Sequence, residues 1–451
     1  MSQATAQRVT SWGRLTHDVH TVTPVHDRFA LPNAVKPSPD SDSAAPTALA
    51  YGMGRSYGDV CLNPGGRLIA TAGLNKFIAF DPTRGLLTAE AGVLLQDIQH
   101  TFVPQGWMLP VTPGTQYVTL GGAIANDVHG KNHHVMGNFG EHLRELQLMR
   151  TDGTQMTVGP ALQPEWFHAT VGGLGLTGVI SQATVQLRRV HSAWLDVQTM
   201  PFHGLDAFFE CADQSEADWE YTVSWIDCLS ARRLRGIFMR ANHPTPEAIA
   251  QAGLDESPRQ AAQRQVPFVP PMSLINAWSL RAFNTAYFHA QAAKKGRQWQ
   301  HYQPFFYPLD HLQHWNRIYG PRGFYQYQCV VPRAQAHDAT QALMDQIARS
   351  GQGSFLAVLK TFGERAATGM LSFPMPGVTL ALDFPNLGDA TLALLDALDA
   401  VVREAGGRVY AAKDARMSRA MFEAGYPSLN AFMQFRDPGL SSAMSRRLMG
   451  W

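Results

Sequence analysis

Asp127-Val128-His129-Gly130-Lys131-Asn132-His133-His134 is the stretch that decides how this chain of 451 residues is interpreted. Gly-rich stretches accompany it: Gly54-Arg55-Ser56-Tyr57-Gly58-Asp59 lies upstream, and Pro113-Gly114-Thr115 and Val118–Asn126 come just before. Glycine lets a backbone approach a ligand closely, and successive N–H groups in such turns bind anions. The pattern predicts a pyrophosphate site, and the number of loops suits a large planar cofactor.

Three histidines in that stretch raise the alternative of a metal site. His129, His133 and His134 lack the helical i, i+4 pairing with a flanking carboxylate that a zinc helix needs. Gly130 and Asn132 favour a loop. We therefore predict no metal site, while a polar surface turn remains an alternative for this stretch taken alone.

The run Gly173–Gly178 fits the dinucleotide fingerprint G-x-G-x-x-G. In a Rossmann domain that fingerprint follows a strand and opens a helix. Here the preceding Glu165–Thr170 is predicted to be a short helix, and the following Val179–Leu187 alternates like a strand. The order is reversed, so we exclude a nicotinamide Rossmann domain and expect these glycines to let the backbone pass against a cofactor.

Local patterns predict further elements. Apolar spacing predicts helices at Val93–Val103 and Thr391–Arg403, and strands are predicted at Gly323–Pro332, Leu356–Phe362 and Val378–Phe384. On the strand Gly323–Pro332, Phe324, Gln326 and Gln328 share one face, which suits a pocket floor or an exposed sheet face. A surface loop is predicted at 33–48 and a linker or mobile loop at 243–271.

Eight short segments, in order over almost the whole chain, carry a resemblance. They are GRSYGD (54–59), PVTPGT (110–115), HGKNHH (129–134), GGLGLTG (172–178), WNR (315–317), YQYQ (325–328), LSFP (371–374) and YAAKD (410–414). Together they resemble the vanillyl-alcohol oxidase superfamily of flavoproteins, which have a PCMH-type FAD-binding domain. Within it they are most similar to the decaprenylphosphoryl-β-D-ribose 2′-oxidase family, flavin components of an epimerase that makes the arabinose donor of mycobacterial cell walls.

The resemblance implies an α+β fold. A two-part FAD-binding domain of vanillyl-alcohol oxidase type is expected at 1–190, and a substrate domain with an antiparallel sheet covered by helices at 191–407. Residues 408–451 are expected to return to the FAD domain. The cofactor-binding positions implied are Gly54, Arg55, Ser56, Tyr57, Gly58, Pro113, Gly114, Thr115, Thr119, Gly121, Gly122, Ala123, Asn126, His129, Gly130, Asn132, Gly137, Asn138, Gly178, Val179, Ile180 and Tyr410.

The same resemblance implies the chemistry. Lys413 matches the family's essential lysine, with His129 and Tyr57 as further catalytic residues. Tyr57 stands where many relatives carry a histidine tied to the flavin, which implies noncovalent FAD. Two substrate positions depart from the family, because Ala381 replaces a cysteine that nitroaromatic inhibitors attack and Phe306 replaces a tyrosine. The substrate-binding positions implied are Lys131, Ser224, Trp225, Phe306, Gln326, Gln328, Lys360, Phe362 and Ala381.

Composition narrows the setting. With 37 Lys and Arg against 36 Asp and Glu, the formal charge of +1 gives no case for nucleic acid. Four cysteines without metal spacing predict reduced thiols and a cytoplasmic enzyme. No signal peptide or transmembrane run is predicted. The stretch 267–297, aromatic and basic, predicts either a peripheral membrane contact or a helical insertion that covers the substrate site.

The leading hypothesis is an FAD-dependent oxidoreductase that oxidises the 2′-hydroxyl of a polyprenyl-phosphoryl-β-D-ribose by hydride transfer to flavin N5. A short-chain reductase partner would then complete an epimerisation. One alternative is a soluble sugar, alditol or aldonolactone oxidase of the same superfamily. Another is a flavin-binding assembly protein without turnover.

Overall fold

The computed structural model describes residues 4–36, 47–230, 233–254 and 263–450. The strands are β1 (Thr5–Arg8), β2 (Val19–Pro24), β3 (Ala48–Tyr51), β4 (Arg67–Ala70), β5 (Phe77–Asp81), β6 (Leu86–Glu90), β7 (Trp107–Met108), β8 (Leu143–Met149), β9 (Gln155–Val158), β10 (Val179–Gln186), β11 (Arg188–Arg189), β12 (Trp194–His203), β13 (Tyr221–Ile226), β14 (Arg235–Asn242), β15 (Arg264–Gln265), β16 (Gly296–His301), β17 (Leu312–Gln313), β18 (Phe324–Pro332), β19 (Val358–Phe362), β20 (Gly377–Pro385) and β21 (Arg408–Val409). The helices are α1 (Leu31–Val35), α2 (Leu95–Phe102), α3 (Leu120–Ala125), α4 (His133–Met136), α5 (Pro164–Thr170), α6 (Leu205–Glu216), α7 (Pro246–Ala252), α8 (Ala277–Ala292), α9 (Tyr302–Phe306), α10 (Ala336–Ser350), α11 (Asp389–Glu404), α12 (Arg419–Gly425), α13 (Leu429–Phe432) and α14 (Ala443–Met449).

Two smaller sheets form the first part of the chain. One has the order β1-β2-β4-β3 and mixes antiparallel with parallel pairs. The other has the order β5-β6-β10-β8-β9 and is antiparallel. Helices α2 and α3 contribute Leu95, Ile98, Leu120 and Ile124 to the buried core of this second sheet. The loop at 52–58 follows β3 of the first sheet, whereas the loop at 110–119 follows β7, which pairs with β11 in a separate two-stranded sheet.

An antiparallel sheet of eight strands, in the order β16-β12-β14-β13-β19-β20-β18-β21, forms the second part. Apolar side chains from α6, α10 and α11 pack on one of its faces and share a core with Tyr327, Cys329 and Leu380. Because side chains alternate across a strand, Gln326 and Gln328 lie on the opposite face. The α+β fold with a helix-covered antiparallel sheet is thus confirmed.

The predicted elements are found with small shifts at their ends. Helices α2 and α11 and strands β18, β19 and β20 occupy the predicted stretches. The fingerprint at Gly173–Gly178 follows α5 and precedes β10, which is the reverse of a Rossmann site. Gln326 is half-buried and Gln328 buried, so this face of β18 is not an exposed sheet face.

Three predicted loops were wrong in part. Of the stretch 33–48, Asn33–Val35 end helix α1 with Val35 fully buried, Ala48 begins β3, and 37–46 lie outside the described residues. The stretch 243–271 contains α7, which the Thr245 side chain caps by accepting from Ala248 N. Residues 255–262 again lie outside the described residues. His133 and His134 begin the one-turn helix α4 rather than continuing a loop.

The C-terminal segment binds to both parts of the chain. Strand β21 pairs with β18 of the large sheet, whereas Leu440 forms a bridge with Ala48 of the first sheet. In α14, the Arg447 guanidinium donates to both oxygens of Asp59 and lies 3.1 Å from Asp414. The domain limits at 190 and 407 remain a prediction.

Candidate active site

A large cavity lies between the Gly-rich loops and the open face of the large sheet. Its volume is about 1190 Å³, above the roughly 300–1,000 Å³ usual for one drug-sized ligand. Loops 52–57 and 112–122 line one side, while Gln326, Gln328 and Ala381 line the sheet side. The cavity therefore has room for a large cofactor together with a substrate.

The first loop is fixed by close backbone packing. Gly54 has φ +59°, a conformation that glycine adopts without strain. A Cβ on Gly58 would lie 1.6 Å from the Asp414 carbonyl oxygen, so this loop packs directly against the segment that carries Lys413. The second loop ends in α3, where the Thr119 hydroxyl accepts from Gly122 N at 3.1 Å. Both loops thus present backbone to the cavity.

Buried polar atoms without partners lie on the same wall. Among the described residues, Arg55 Nε and Asn126 Oδ1 are buried and make no hydrogen bond. The Arg55 guanidinium lies 4.2 Å from the centre of the Trp12 ring and 5.3 Å from that of Tyr117. Buried polar groups are costly to leave unpaired, so a polar ligand such as FAD fits here.

Lys413 forms the centre of a polar cluster at the sheet end of the cavity. Its ammonium nitrogen lies 4.1 Å from the centre of the Tyr57 ring. Burial lowers the pKa of Lys413 to about 8, and the Asp383 carboxylate opposes that shift. Asp383 is fully buried and accepts from Gln326 Nε2 at 2.8 Å. Burial raises the pKa of Asp383 to about 7, while the bond from Gln326 and the charge of Lys413 lower it.

His129 is held as a neutral ring. Burial, followed by the charges of Lys360, His133 and Lys413, lowers the pKa of His129 well below its usual value. Gln328 Nε2 lies 3.1 Å from His129 Nε2 and 3.3 Å from Thr379 Oγ1. With the Gln328 amide in this orientation, the imidazole proton is on Nδ1, which has no partner among the described residues.

Two more lysines enter the cavity from opposite walls. Lys360 Nζ donates to the Gly130 carbonyl at 3.1 Å, and Lys131 Nζ donates to the Phe305 carbonyl. Burial and, to a smaller extent, the charge of a neighbouring lysine lower the pKa of each to about 7. Three amines in one cavity with lowered pKa values favour an anionic ligand, because its charge would restore their protonation.

Most of the predicted site residues line this cavity. The cofactor and catalytic positions that do so are Gly54, Arg55, Ser56, Tyr57, Pro113, Gly114, Thr115, Thr119, Gly121, Gly122, Asn126, His129, Gly130, Gly178, Ile180, Tyr410 and Lys413. The predicted substrate positions that do so are Lys131, Ser224, Trp225, Phe306, Gln326, Gln328, Lys360 and Ala381.

Seven predicted residues do not line it, because each is engaged elsewhere. Ala123 and Val179 are core residues. Gly58 packs on the Asp414 carbonyl and Gly137 on the Glu141 carboxylate. Asn132 donates to the Pro110 carbonyl, Asn138 donates to the Asp127 carboxylate, and Phe362 packs behind the His129 ring.

Ser224 lines the cavity without aiming its hydroxyl there. It pairs with Leu359 and Phe238, so its side chain lies on the face that the helices cover. Sequence reasoning also missed Asp383 and Asp310. Asp310 accepts from Gln116 N at 2.8 Å. Burial raises the pKa of Asp310, and the charge of the nearby Arg55 opposes that shift. Asp383 lies on the open face of β20, opposite Gln326. The sign of it in the sequence was a carboxylate within a predicted apolar strand.

Comparison of this sequence with known proteins identifies its family. Residues 44–159, which carry the loops around Gly54, Gly114 and His129, match the FAD binding domain family. The chain is 34% identical to decaprenylphosphoryl-beta-D-ribose oxidase of Mycolicibacterium smegmatis, over 98% of each chain. This chain belongs to the decaprenylphosphoryl-ribose oxidase family of flavoproteins. An uncharacterised Streptomyces coelicolor protein is 33% identical over its whole length and 79% of this chain. Mouse L-gulonolactone oxidase is 29% identical over 30% of each chain.

Membership in the decaprenylphosphoryl-ribose oxidase family makes this protein an FAD-dependent oxidoreductase, rather than a flavin-binding protein without turnover. In the described ranges, no cluster of three or more His, Cys, Asp or Glu side chains is arranged to hold a metal ion. All four cysteines are described and unpaired. No helix in the described part is both long and apolar enough to cross a membrane.

Proposed function

We propose that this protein oxidises the 2′-hydroxyl of a polyprenyl-phosphoryl-β-D-ribose, such as the decaprenyl compound, to the 2′-keto form. One observation carries the proposal. The cavity that the Gly-rich loops line also holds Lys131, Lys360 and Lys413. A cofactor site and a site for an anionic sugar are thus one continuous space. The name of the Mycolicibacterium relative supports the same substrate.

The proposal includes a two-part FAD-binding domain of vanillyl-alcohol oxidase type that holds FAD without a covalent bond. Tyr57 occupies the position where other members of the superfamily carry a tethering histidine. Cys61 also lines the cavity, but burial, together with Asp59, raises the pKa of its thiol to about 12. The nucleophilic form of cysteine is the thiolate, so Cys61 is a poor candidate for a tether.

Bound FAD supplies the hydride acceptor, N5 of its ring. Lys413 is the cation that stabilises negative charge developing beside it during oxidation. Tyr57 remains protonated, because burial and the charge of Asp383 raise its pKa well above the usual value. Its hydroxyl therefore orients the substrate as a hydrogen-bond partner and is not a base, so the proton of the oxidised hydroxyl would pass to solvent as the hydride passes to the flavin. His129, neutral and fixed by Gln328, adds an uncharged partner on the same side.

We assign phosphate binding to Lys131 and Lys360. Both amines have a pKa near 7 in the protein without ligand. A phosphodiester anion between them would raise both values and keep both amines charged. We further propose that the keto product passes to a short-chain reductase partner, which would return the carbon to the hydroxyl state with the opposite configuration.

Anaerobic flavin reduction tests the function directly. Polyprenyl-phosphoryl-ribose should bleach the flavin absorbance, whereas D-ribose, alditols and aldonolactones should not. Bleaching by an aldonolactone and not by the lipid-linked sugar would favour the alternative that L-gulonolactone oxidase represents. That relative matches under a third of this chain. Adding the reductase with NADPH or NADH after bleaching should then yield the arabino epimer.

A further inference from the structure

The strongest feature that the redox chemistry leaves unused is an apolar surface beside the cavity. Five large apolar side chains between 268 and 283 are exposed: Phe268 (67%), Met272 (70%), Leu274 (53%), Trp278 (81%) and Phe283 (44%). We call these five residues the apolar rim. Large apolar side chains are rarely this exposed, and when they cluster they mark an interaction surface.

The rim is held in place by specific contacts rather than projecting from a loose loop. Leu274 N donates to the Ile318 carbonyl at 2.9 Å, and the Arg317 guanidinium donates to the Pro267 carbonyl at 2.9 Å. The Asn276 side chain accepts from Trp278 N and Ser279 N and so caps α8. Trp278 is therefore presented at the first turn of a capped helix of 16 residues.

The charge of this segment indicates what kind of partner would bind the apolar rim. Between residues 263 and 309 the chain has five Lys and Arg and no Asp or Glu, although its formal charge over the whole length is only +1. Arg281 is exposed on α8, one turn from Trp278, and Lys294 and Lys295 follow the end of that helix. Apolar and aromatic side chains beside basic ones suit the surface of an anionic bilayer.

The rim is also continuous with the cavity. The second half of α8 lines the cavity with Tyr287 and Gln291, and Lys294 follows them on the same wall. The Phe283 ring stacks on Tyr287 at 5.7 Å, and Tyr287 lies 4.8 Å from the Trp225 ring. One aromatic row therefore runs from the exposed rim to the sheet floor.

We propose that the apolar rim docks this protein on the surface of an anionic lipid bilayer, with the mouth of the cavity facing the lipid. The proposal rests on the proposed function in one respect, because a polyprenyl-phosphoryl sugar stays anchored in a bilayer by its chain. Trp278, Phe268 and Met272 insert at the level of the headgroups. Arg281 and Lys295 bind lipid phosphates. The sugar then reaches the cavity without its chain leaving the membrane.

Vesicle flotation of the holoenzyme tests this without any turnover. The protein should float with vesicles of phosphatidylcholine and phosphatidylglycerol, and less with phosphatidylcholine alone. The triple variant Phe268→Ser, Met272→Ser, Trp278→Ser should bind at least about tenfold more weakly, since burial of one large apolar side chain changes an equilibrium by roughly that factor. The matched control is Phe29→Ser, because Phe29 is 75% exposed and lies far along the chain from the rim.

The outcomes separate the two proposals. Equal flotation of wild type and triple variant would overturn the docking proposal and leave the proposed function intact if lipid-linked ribose still bleaches the flavin. Flotation that depends on the rim, without bleaching by that sugar, would support docking and reject the substrate. A wild-type dimer in analytical ultracentrifugation that the triple variant breaks would assign the rim to a second copy of this chain and overturn the bilayer.

Discussion

The ammonium nitrogen of Lys413 lies 4.1 Å from the centre of the Tyr57 ring, so the loop at 54–59 and the segment at 410–414 meet in one contact. A cation over an aromatic face is stabilised by the ring quadrupole, more strongly when water is excluded. The contact fixes where the positive charge sits relative to the Gly-rich loop. Substitution of either Lys413 or Tyr57 therefore removes the same contact.

Lys413→Ala should keep FAD and lose catalysis. Removing a group that stabilises charge in the transition state typically costs ~10²–10³ in rate, and kcat and kcat/KM should fall together. Anaerobic stopped-flow flavin reduction measures the rate, and the absorbance ratio of flavin to protein measures FAD content. Lys76→Ala, an exposed lysine outside the cavity and outside the apolar rim, is the control. A Lys413→Ala rate within about threefold of wild type, far outside that range, would make Lys413 structural.

Flavin reduction should slow as the pH rises through about 8. The pKa of Lys413 is lowered to about 8, so the required cation is present below that pH and lost above it. Because the Asp383 carboxylate raises this pKa, Asp383→Asn should move the basic limb of the kcat/KM profile to lower pH. Asp152→Asn, a largely exposed carboxylate, should not move it. A limb unchanged in Asp383→Asn would mean that the limb belongs to another group.

Acid or heat should release intact FAD into solution. The resemblance implies that Tyr57 stands in place of a tethering histidine, and burial raises the pKa of the Cys61 thiol to about 12. Precipitation with trichloroacetic acid, followed by absorbance of the supernatant and mass spectrometry of the pellet, measures this. A flavin peptide in the pellet would contradict the noncovalent prediction and identify the tether.

Nitroaromatic inhibitors of this family should leave the wild type unmodified and form an adduct with Ala381→Cys. Ala381 lines the cavity beside Gln328, and it has no thiol. Cys329 is the neighbour with a thiol, but it lies in the helix-covered core, and burial raises its pKa to about 12. Intact mass spectrometry after turnover with the inhibitor measures whether the wild type and the Ala381→Cys variant gain the mass of an adduct. A wild-type adduct mapped to Cys329 would show that the core is open to the compound.

The backbone geometry of the Gly-rich loops was predictable because its signal is local. Where the backbone needs an unusual conformation or a close approach, as at Gly54, the glycine itself is visible in a short segment of the sequence. The alternation on β18 also placed Gln326 and Gln328 on one face, opposite Cys329. These features depend on residues that are neighbours in sequence.

Asp383 was not predictable in the same way, because its role comes from register. It faces Gln326 only through the pairing of β18 with β20. The orientation of the Ser224 hydroxyl was not predictable for a related reason, since strand alternation separates two faces without saying which one meets the cavity. Trp278 is a third case. The sequence of a helix rich in aromatic residues does not show whether its rings pack against the core or remain exposed to solvent.

The contacts of Arg447 with Asp59 and Asp414 have a consequence for biosynthesis. The loop at 54–59 leaves the ribosome long before α14, yet its position beside Lys413 depends on a guanidinium from that last helix. A nascent chain that has not yet made α14 lacks this contact. We therefore expect FAD to bind only once α14 has been made, which flavin binding by nascent chains stalled before and after α14 would measure.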